Sequence, residues 1–265
     1  MPPYPFSYPW GLSRPQGVNC ILAGGDELHS YVPTALPRLQ ESQIRAMVLR
    51  LTEDPWEGSQ TLEATFRASG RDYRIFDVPW NHLDMMRATL DQVNLVLVPG
   101  GNGAKFEARH HQFMRLLPGI ANNFFNPNNV WLGNNLGGIF AGTAFRSGDQ
   151  LNGSVSVKRR WVPGLGLITM SFCAHGDAEI TSEVQTYNEV AAAMEHESPG
   201  RQCVVIDSGA ALALRRDTIE VVSSTDSGCV RLITSHGPKE PPEVLKLPPG
   251  TVHDAQTILS RPPRR

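Results

Sequence analysis

Short apolar runs alternate along this chain with stretches long enough to form helices, and several of the runs stop at paired glycines. Val18-Asn19-Cys20-Ile21-Leu22-Ala23 ends at Gly24-Gly25, and Asn94-Leu95-Val96-Leu97-Val98 ends at Pro99-Gly100-Gly101. Further strands are expected at Ile44 to Leu51, Asp72 to Val78 and Val130 to Leu132. Between them, helices are expected at Ser59 to Ser69 (apolar at Leu62 and Phe66), His82 to Leu90, Lys105 to Leu117 and Leu136 to Ala144. Strands that alternate with helices build βαβ units. The expected fold class is therefore α/β, with a doubly wound, mainly parallel sheet and helices on both faces. After Leu165 the pattern shifts to strands with short turns: Leu167 to Phe172, Gln202 to Ile206, Ala211 to Leu214, Ile219 to Val222 and Cys229 to Ile233. One helix, Thr181 to Met194, interrupts them, and Asp217 sits in an expected hairpin turn.

The chain has 265 residues, a length that one α/β domain can fill. Residues 1–16 read as an extended proline-rich arm, 17–235 as the domain, and 236–265 as a proline-rich, basic tail with at most one short element near Val252 to Leu259. A formal net charge of −2 gives no concentrated basic surface, so no nucleic-acid partner is expected. The basic run Lys158-Arg159-Arg160 reads as a solvated loop. No apolar stretch is long enough to span a membrane, and the N-terminus lacks the pattern of a secretory signal. None of the four cysteines forms a CxxC pair; Cys20 and Cys203 read as buried, unreactive thiols. The expectation is a cytoplasmic protein with reduced thiols. No His, Asp and Glu set has metal-ligand spacing, and neither metal nor cofactor is expected. His110 and His111 read as part of a solvated helix face beside Arg109 and Arg115.

In open α/β sheets, ligands bind outside the carboxyl ends of the strands. Three unusual turns fall there: Gly24-Gly25-Asp26-Glu27-Leu28, Pro99-Gly100-Gly101-Asn102-Gly103, and Leu132-Gly133-Asn134-Asn135-Leu136-Gly137-Gly138. Glycines in the second can expose backbone N–H groups, as an oxyanion site requires, although a tight strand-to-helix turn with no ligand has the same residues. It is not a phosphate loop, because the GxxxxGK[ST] spacing is absent. The third has the form of a nucleophile elbow, which strains one residue so that its side chain stands free at the sheet edge. The residue held there is Asn135, and a purely structural turn stays open because asparagine tolerates left-handed backbone geometry.

These turns resemble the dipeptidase E and cyanophycinase family of serine hydrolases. Leu95 to Asn102 resembles its strand followed by Gly-Gly-Asn or Gly-Gly-Asp, and Val130 to Gly142 resembles its Tyr-Ile-Gly-x-Ser-Ala-Gly-Ala-x-x-Ala-Gly elbow. Gly164-Leu165-Gly166-Leu167 followed by Ala174-His175 is similar to its Gly-Leu-Gly-Leu strand and Pro-His. Val205 to Leu212 is similar to its Gly-Ile-Asp-Glu-Gly-Thr-Ala-Leu, and Gly24 to Leu28 to its N-terminal Gly-Gly-Gly-Glu. The matches run in order over most of residues 17–233. The resemblance implies a class I glutamine-amidotransferase-like fold and a peptidase acting next to aspartate, with a small-molecule or peptide substrate and room for a homodimer. It also implies that His175 is the catalytic histidine, that the acidic partner falls near Asp149, and that Gly101 and Leu136 supply oxyanion N–H groups beside Gly100 and Asn102.

The departure is at the nucleophile: Asn135 stands where the family has serine. Leu136 replaces the alanine that follows it and crowds the site; Ala174 replaces the proline before the histidine. An amide nitrogen is no substitute for a hydroxyl deprotonated by imidazole, because its lone pair is delocalised. Loss of a nucleophile removes roughly 10⁶ in rate and leaves ~10³–10⁴ over water. Three readings follow. One is an enzyme doing repurposed acid–base chemistry through His175, with Asn135 as a hydrogen-bond donor. The second is a non-catalytic relative that binds a ligand or partner protein. The third is a hydrolase with another nucleophile: Cys173, which shares a strand face with His175, or Ser171 or Ser208.

Overall fold

The structure, a computed structural model, describes residues 18–254 apart from 26–27, 54–55, 80, 148–159, 175–187, 189, 191–201, 216–217, 225–227 and 236–239. The first of its two sheets has eight strands in the order β14-β11-β10-β1-β5-β4-β2-β3. Its centre consists of β1 (Asn19–Ala23), β2 (Ile44–Leu49), β3 (Tyr73–Val78), β4 (Leu95–Val98) and β5 (Val130–Asn134). These five pair in parallel. On the other side of β1 come β10 (Ala210–Arg215), β11 (Thr218–Ser223) and β14 (Val252–Asp254), all antiparallel. The second sheet has six strands in the order β13-β12-β9-β8-β6-β7. They are β6 (Gly142–Ser147), β7 (Arg160–Pro163), β8 (Ile168–Cys173), β9 (Gln202–Ile206), β12 (Val230–Thr234) and β13 (Glu243–Leu247). The inner pairs β6–β8 and β8–β9 are parallel, and the edge pairs are antiparallel.

The central strands β1, β4 and β5 are buried along nearly their whole length because both faces of the first sheet are covered there. Cys20 and Leu22 of β1 face one core cluster, and Ile21 and Ala23 face another. Val96 and Val98 of β4 join the first, and Leu95 and Leu97 the second. α1 (Val32–Ala35) and α2 (Ser59–Ala68) cover the second cluster, α2 through Leu62 and Phe66. α3 (Leu83–Leu90), α4 (Gly103–Phe124) and the inner face of the second sheet fill the first. α4 buries Phe106, Phe113, Leu116, Ile120 and Phe124, a stripe at helical spacing, and Phe106 meets Phe140 edge to face at 6.2 Å. Burial is worth ~1.5–3 kcal/mol for each such side chain. One buried polar group ties this layer together: Asn123 Nδ2 donates to the Leu90 carbonyl at 2.6 Å, while its Oδ1 accepts from Trp131 Nε1 at 2.8 Å. Among the described residues no helix is long and apolar enough to cross a membrane.

Three local expectations change. Only Leu136–Ile139 is helical (α5), and the chain from Gly142 enters the second sheet as β6. A Cβ on Gly142 would stand 2.5 Å from the Met170 carbonyl oxygen, so the chain is already against β8 at the point where the helix would have continued. α4 runs past Leu117 to Phe124 with Pro118 inside it. Pro118 is exposed and forfeits one helix hydrogen bond without ending the helix, the neighbouring turns being held by the buried stripe. Beyond residue 235, where a tail with at most one short element near Val252 was expected, β13 adds an unexpected edge strand to one sheet, and β14, at Val252–Asp254, is the edge strand of the other. The arm at 1–16, the helix expected at Thr181 to Met194 and Asp217 lie outside the described residues or almost wholly so.

Candidate functional site

All three glycine turns come together at the carboxyl ends of β1, β4 and β5, which are neighbours in the parallel sheet. Asn135 follows β5 with φ 49° and ψ −120°, and it is the only non-glycine residue with positive φ among the described residues. This backbone lies outside the ordinary left-handed region and is strained, as the elbow expected from sequence requires; it costs a non-glycine residue ~1–3 kcal/mol. What enforces it is packing. A Cβ on Gly133 would collide with the Gly137 carbonyl, one on Gly137 with the Val98 carbonyl, and one on Gly138 would stand 2.6 Å from the Ala23 carbonyl oxygen. The start of α5 is thus pressed onto three strands at once. The Asn135 N–H donates to the Ala23 carbonyl at 3.0 Å, and the Asn135 carbonyl accepts from Gly138 N and Ile139 N at 2.9 and 3.1 Å.

Gly100 borders Asn135 directly, and Gly101 borders Thr52 and Leu136. A Cβ on Gly100 would lie 3.3 Å from Asn135 Cβ and 3.8 Å from its Nδ2. One on Gly101 would lie 2.8 Å from Thr52 Oγ1 and 3.5 Å from Leu136 Cδ2. The Leu136 side chain is buried, with Cδ2 against the Gly101 side of the turn. Its N–H opens α5, where a helix has no internal acceptor to offer. Asn102 caps α4, its Oδ1 accepting from Lys105 N at 3.1 Å. Thr52, 2% exposed, sits against the Gly100-Gly101 turn and was not singled out from sequence; a threonine after β2 carries no motif of its own.

Just outside Thr52 the surface is charged. Glu53 pairs with Arg109, and Lys105 Nζ lies 3.5 Å from its Oε1. The Glu53 carboxyl is held below the ordinary carboxylate range by a hydrogen bond from its own backbone and then by Arg109. Arg109 therefore takes part in the site's surroundings and is more than a solvated face. Its neighbour His110 turns inward: Nε2 lies 3.0 Å from the Gly164 carbonyl oxygen.

The first turn, Gly24-Gly25, backs onto the turn after β9, since a Cβ on Gly24 would collide with the Asp207 carbonyl. Asp207 is 2% exposed and forms an ion pair with Arg231, and it accepts from Cys229 N and Sγ at 3.1 Å each. Ser208 lies in that same turn. Cys173 and Ser171 are 3% and 1% exposed. The Cys173 thiol lies in a small cluster with Cys203, whereas Leu136 belongs to the main core, so the thiol is sealed rather than presented to a substrate. His175 and Asp149 lie outside the described residues.

No protein-family model and no curated protein matches the chain. Among solved structures it is similar to a crystal structure, at 1.5 Å, of a Listeria monocytogenes protein provisionally named peptidase E. The two are 14% identical, the likeness covers 78% of this chain and 99% of that one, and the TM-score is 0.51. The chain accordingly has the peptidase E-like fold, a two-sheet α/β architecture of the glutamine-amidotransferase-like type.

Proposed function

We propose that this chain is a divergent relative of the dipeptidase E and cyanophycinase serine hydrolases that recognises a small acidic or peptide-like molecule at the elbow without forming a serine acyl-enzyme. The observation that carries this reading is Asn135 itself. The elbow conformation is kept, φ 49° and ψ −120°, although the residue in it cannot act as the nucleophile. Strain persists where the surroundings over-determine it, and it concentrates at functional sites. At this position an amide offers a donor and an acceptor to a carbonyl or carboxylate, next to the Gly100-Gly101 turn. The acidic preference is supported by Lys105 and Arg109, which already hold the Glu53 carboxylate one residue from Thr52.

The test compares the wild type with Asn135→Ser on aspartyl dipeptides and on β-aspartyl-arginine, alongside a fluorophosphonate label. Calorimetry follows binding, and release of the free amino acids follows turnover. The expected result is binding without turnover or label in the wild type, and gain of label or turnover in Asn135→Ser. Turnover by the wild type through a labelled residue would overturn the proposal. Wild-type turnover that is unlabelled and lost in His175→Ala would favour acid–base chemistry over binding alone.

A further inference from the structure

Cys173 Sγ and Cys203 Sγ lie 3.6 Å apart, on the neighbouring parallel strands β8 and β9. Register explains the meeting. Ser171 pairs with Cys203 and Cys173 with Val205, so both cysteines project from one face of the sheet, one diagonal step apart. That face carries a small cluster of its own, Ala144, Cys173, Val190, Cys203, Val205 and Ile233, apart from the main core. Both thiols are buried, at 3% and 0% exposure. The two remaining cysteines are engaged elsewhere: Cys20 is on β1 in the other sheet, and Cys229 donates its S–H to Asp207.

We infer that Cys173 and Cys203 are a reversible dithiol–disulfide pair that staples β8 to β9. A disulfide needs the sulfurs about 1.6 Å closer than the 3.6 Å they now have, since the bond is about 2.05 Å long. Diagonal neighbours in a sheet lie about 7–8 Å apart, beyond the ordinary Cα span of a disulfide, so rotation of the two side chains has to be joined by a local approach of β8 to β9. The oxidant is a disulfide such as oxidised glutathione. One cysteine loses its proton and attacks a glutathione sulfur, releasing one glutathione thiolate. The other then attacks the mixed disulfide and releases the second. The glutathione S–S bond breaks, the protein S–S bond forms, and two electrons and two protons end on two glutathione thiols. Burial makes exchange slow, because it needs a local opening of the two strands. The bridge closes a loop of 30 residues and so removes entropy from the unfolded chain. It ties down the end of β8 two residues before His175. The inference does not rest on the function proposed above.

The full chain, reduced and then dialysed, is incubated under native conditions in glutathione buffers of stepped redox poise, and separately with diamide. Mass spectrometry of the intact chain and of its digest is the readout, together with the unfolding midpoint. The expected result is the loss of two hydrogens in mass and a fall from four free thiols to two. It also includes a single cross-linked peptide pair joining Cys173 to Cys203, a higher unfolding midpoint, and reversal by dithiothreitol. Cys173→Ala and Cys203→Ala should each keep three thiols under the same oxidant. Four thiols surviving at the most oxidising poise would overturn the inference, and so would a cross-link at Cys20 or Cys229. A lower midpoint for the bridged chain would also overturn it, because the bond would then belong to a distorted state.

Discussion

Gly137 and Val98 are in backbone contact: a Cβ on Gly137 would overlap the Val98 carbonyl oxygen. The atom it would strike is main chain in the middle of a parallel sheet, which cannot swing aside as a side chain can. Gly137→Ala should therefore cost about 3 kcal/mol, the upper range for an overpacked site. The check is the urea midpoint. An unchanged midpoint would mean that α5 can lift off β4, and the elbow would not be enforced in the way described.

Asn135→Gly should move the other way. Glycine removes a steric cost of ~1–3 kcal/mol at this φ and ψ. It returns up to ~1 kcal/mol as added freedom in the unfolded chain. The variant should be more stable than the wild type by about 1 kcal/mol and should lose the binding of acidic peptides. A less stable variant would show that the Asn135 side chain, and not the backbone, is what the fold requires.

Alkaline pH should weaken the fold before it disturbs the surface. Burial pushes the Cys20 thiol from 9.0 to about 12, against the pull of Arg38. Burial, then the hydrogen bond to Asp207, pushes Cys229 to about 11. A folded-state value above the unfolded one means that the folded chain favours the neutral thiol. The stability is fully present below pH 9 and is lost as pH climbs through the folded values. For Cys20 the slope is about 1.4 kcal/mol per pH unit. Denaturation series between pH 8 and 11 on the wild type and Cys20→Ala should show a shallower alkaline decline in the variant.

Arg231→Met should strand the Asp207 carboxylate, which is 2% exposed and ion-paired with Arg231. Breaking a buried pair from one side costs ~3–5 kcal/mol. The double variant Arg231→Met with Asp207→Asn should recover part of the loss, because no uncompensated charge remains. Equal losses in single and double variants would show that the pair acts through packing alone.

Much of the architecture was legible because its central strands are buried on both faces, so runs such as Leu95 to Val98 needed no decoding of period. The elbow was legible because close backbone approach leaves only glycine at 133 and 137. What sequence could not show was which strands share a sheet. Leu136 to Ala144 continues apolar and small past Ile139 with no capping signal, and the end of α5 is set by where Gly142 meets β8. Glu243–Leu247 was hidden among prolines, which an edge strand tolerates because one of its sides makes no ladder. Thr52 was missed for a third reason: its place beside Gly101 comes from the pairing of β2 with β4, and nothing local in sequence encodes it.

The last two strands act as a suture. Four residues separate Leu247 from Val252, yet β13 closes the open edge of one sheet at β12 and β14 closes that of the other at β11. Cutting the chain after residue 240 would bare both edges at once, and bare edges recruit strands from other molecules. The two sheets are thereby coupled into one cooperative unit, and a single unfolding transition is its signature.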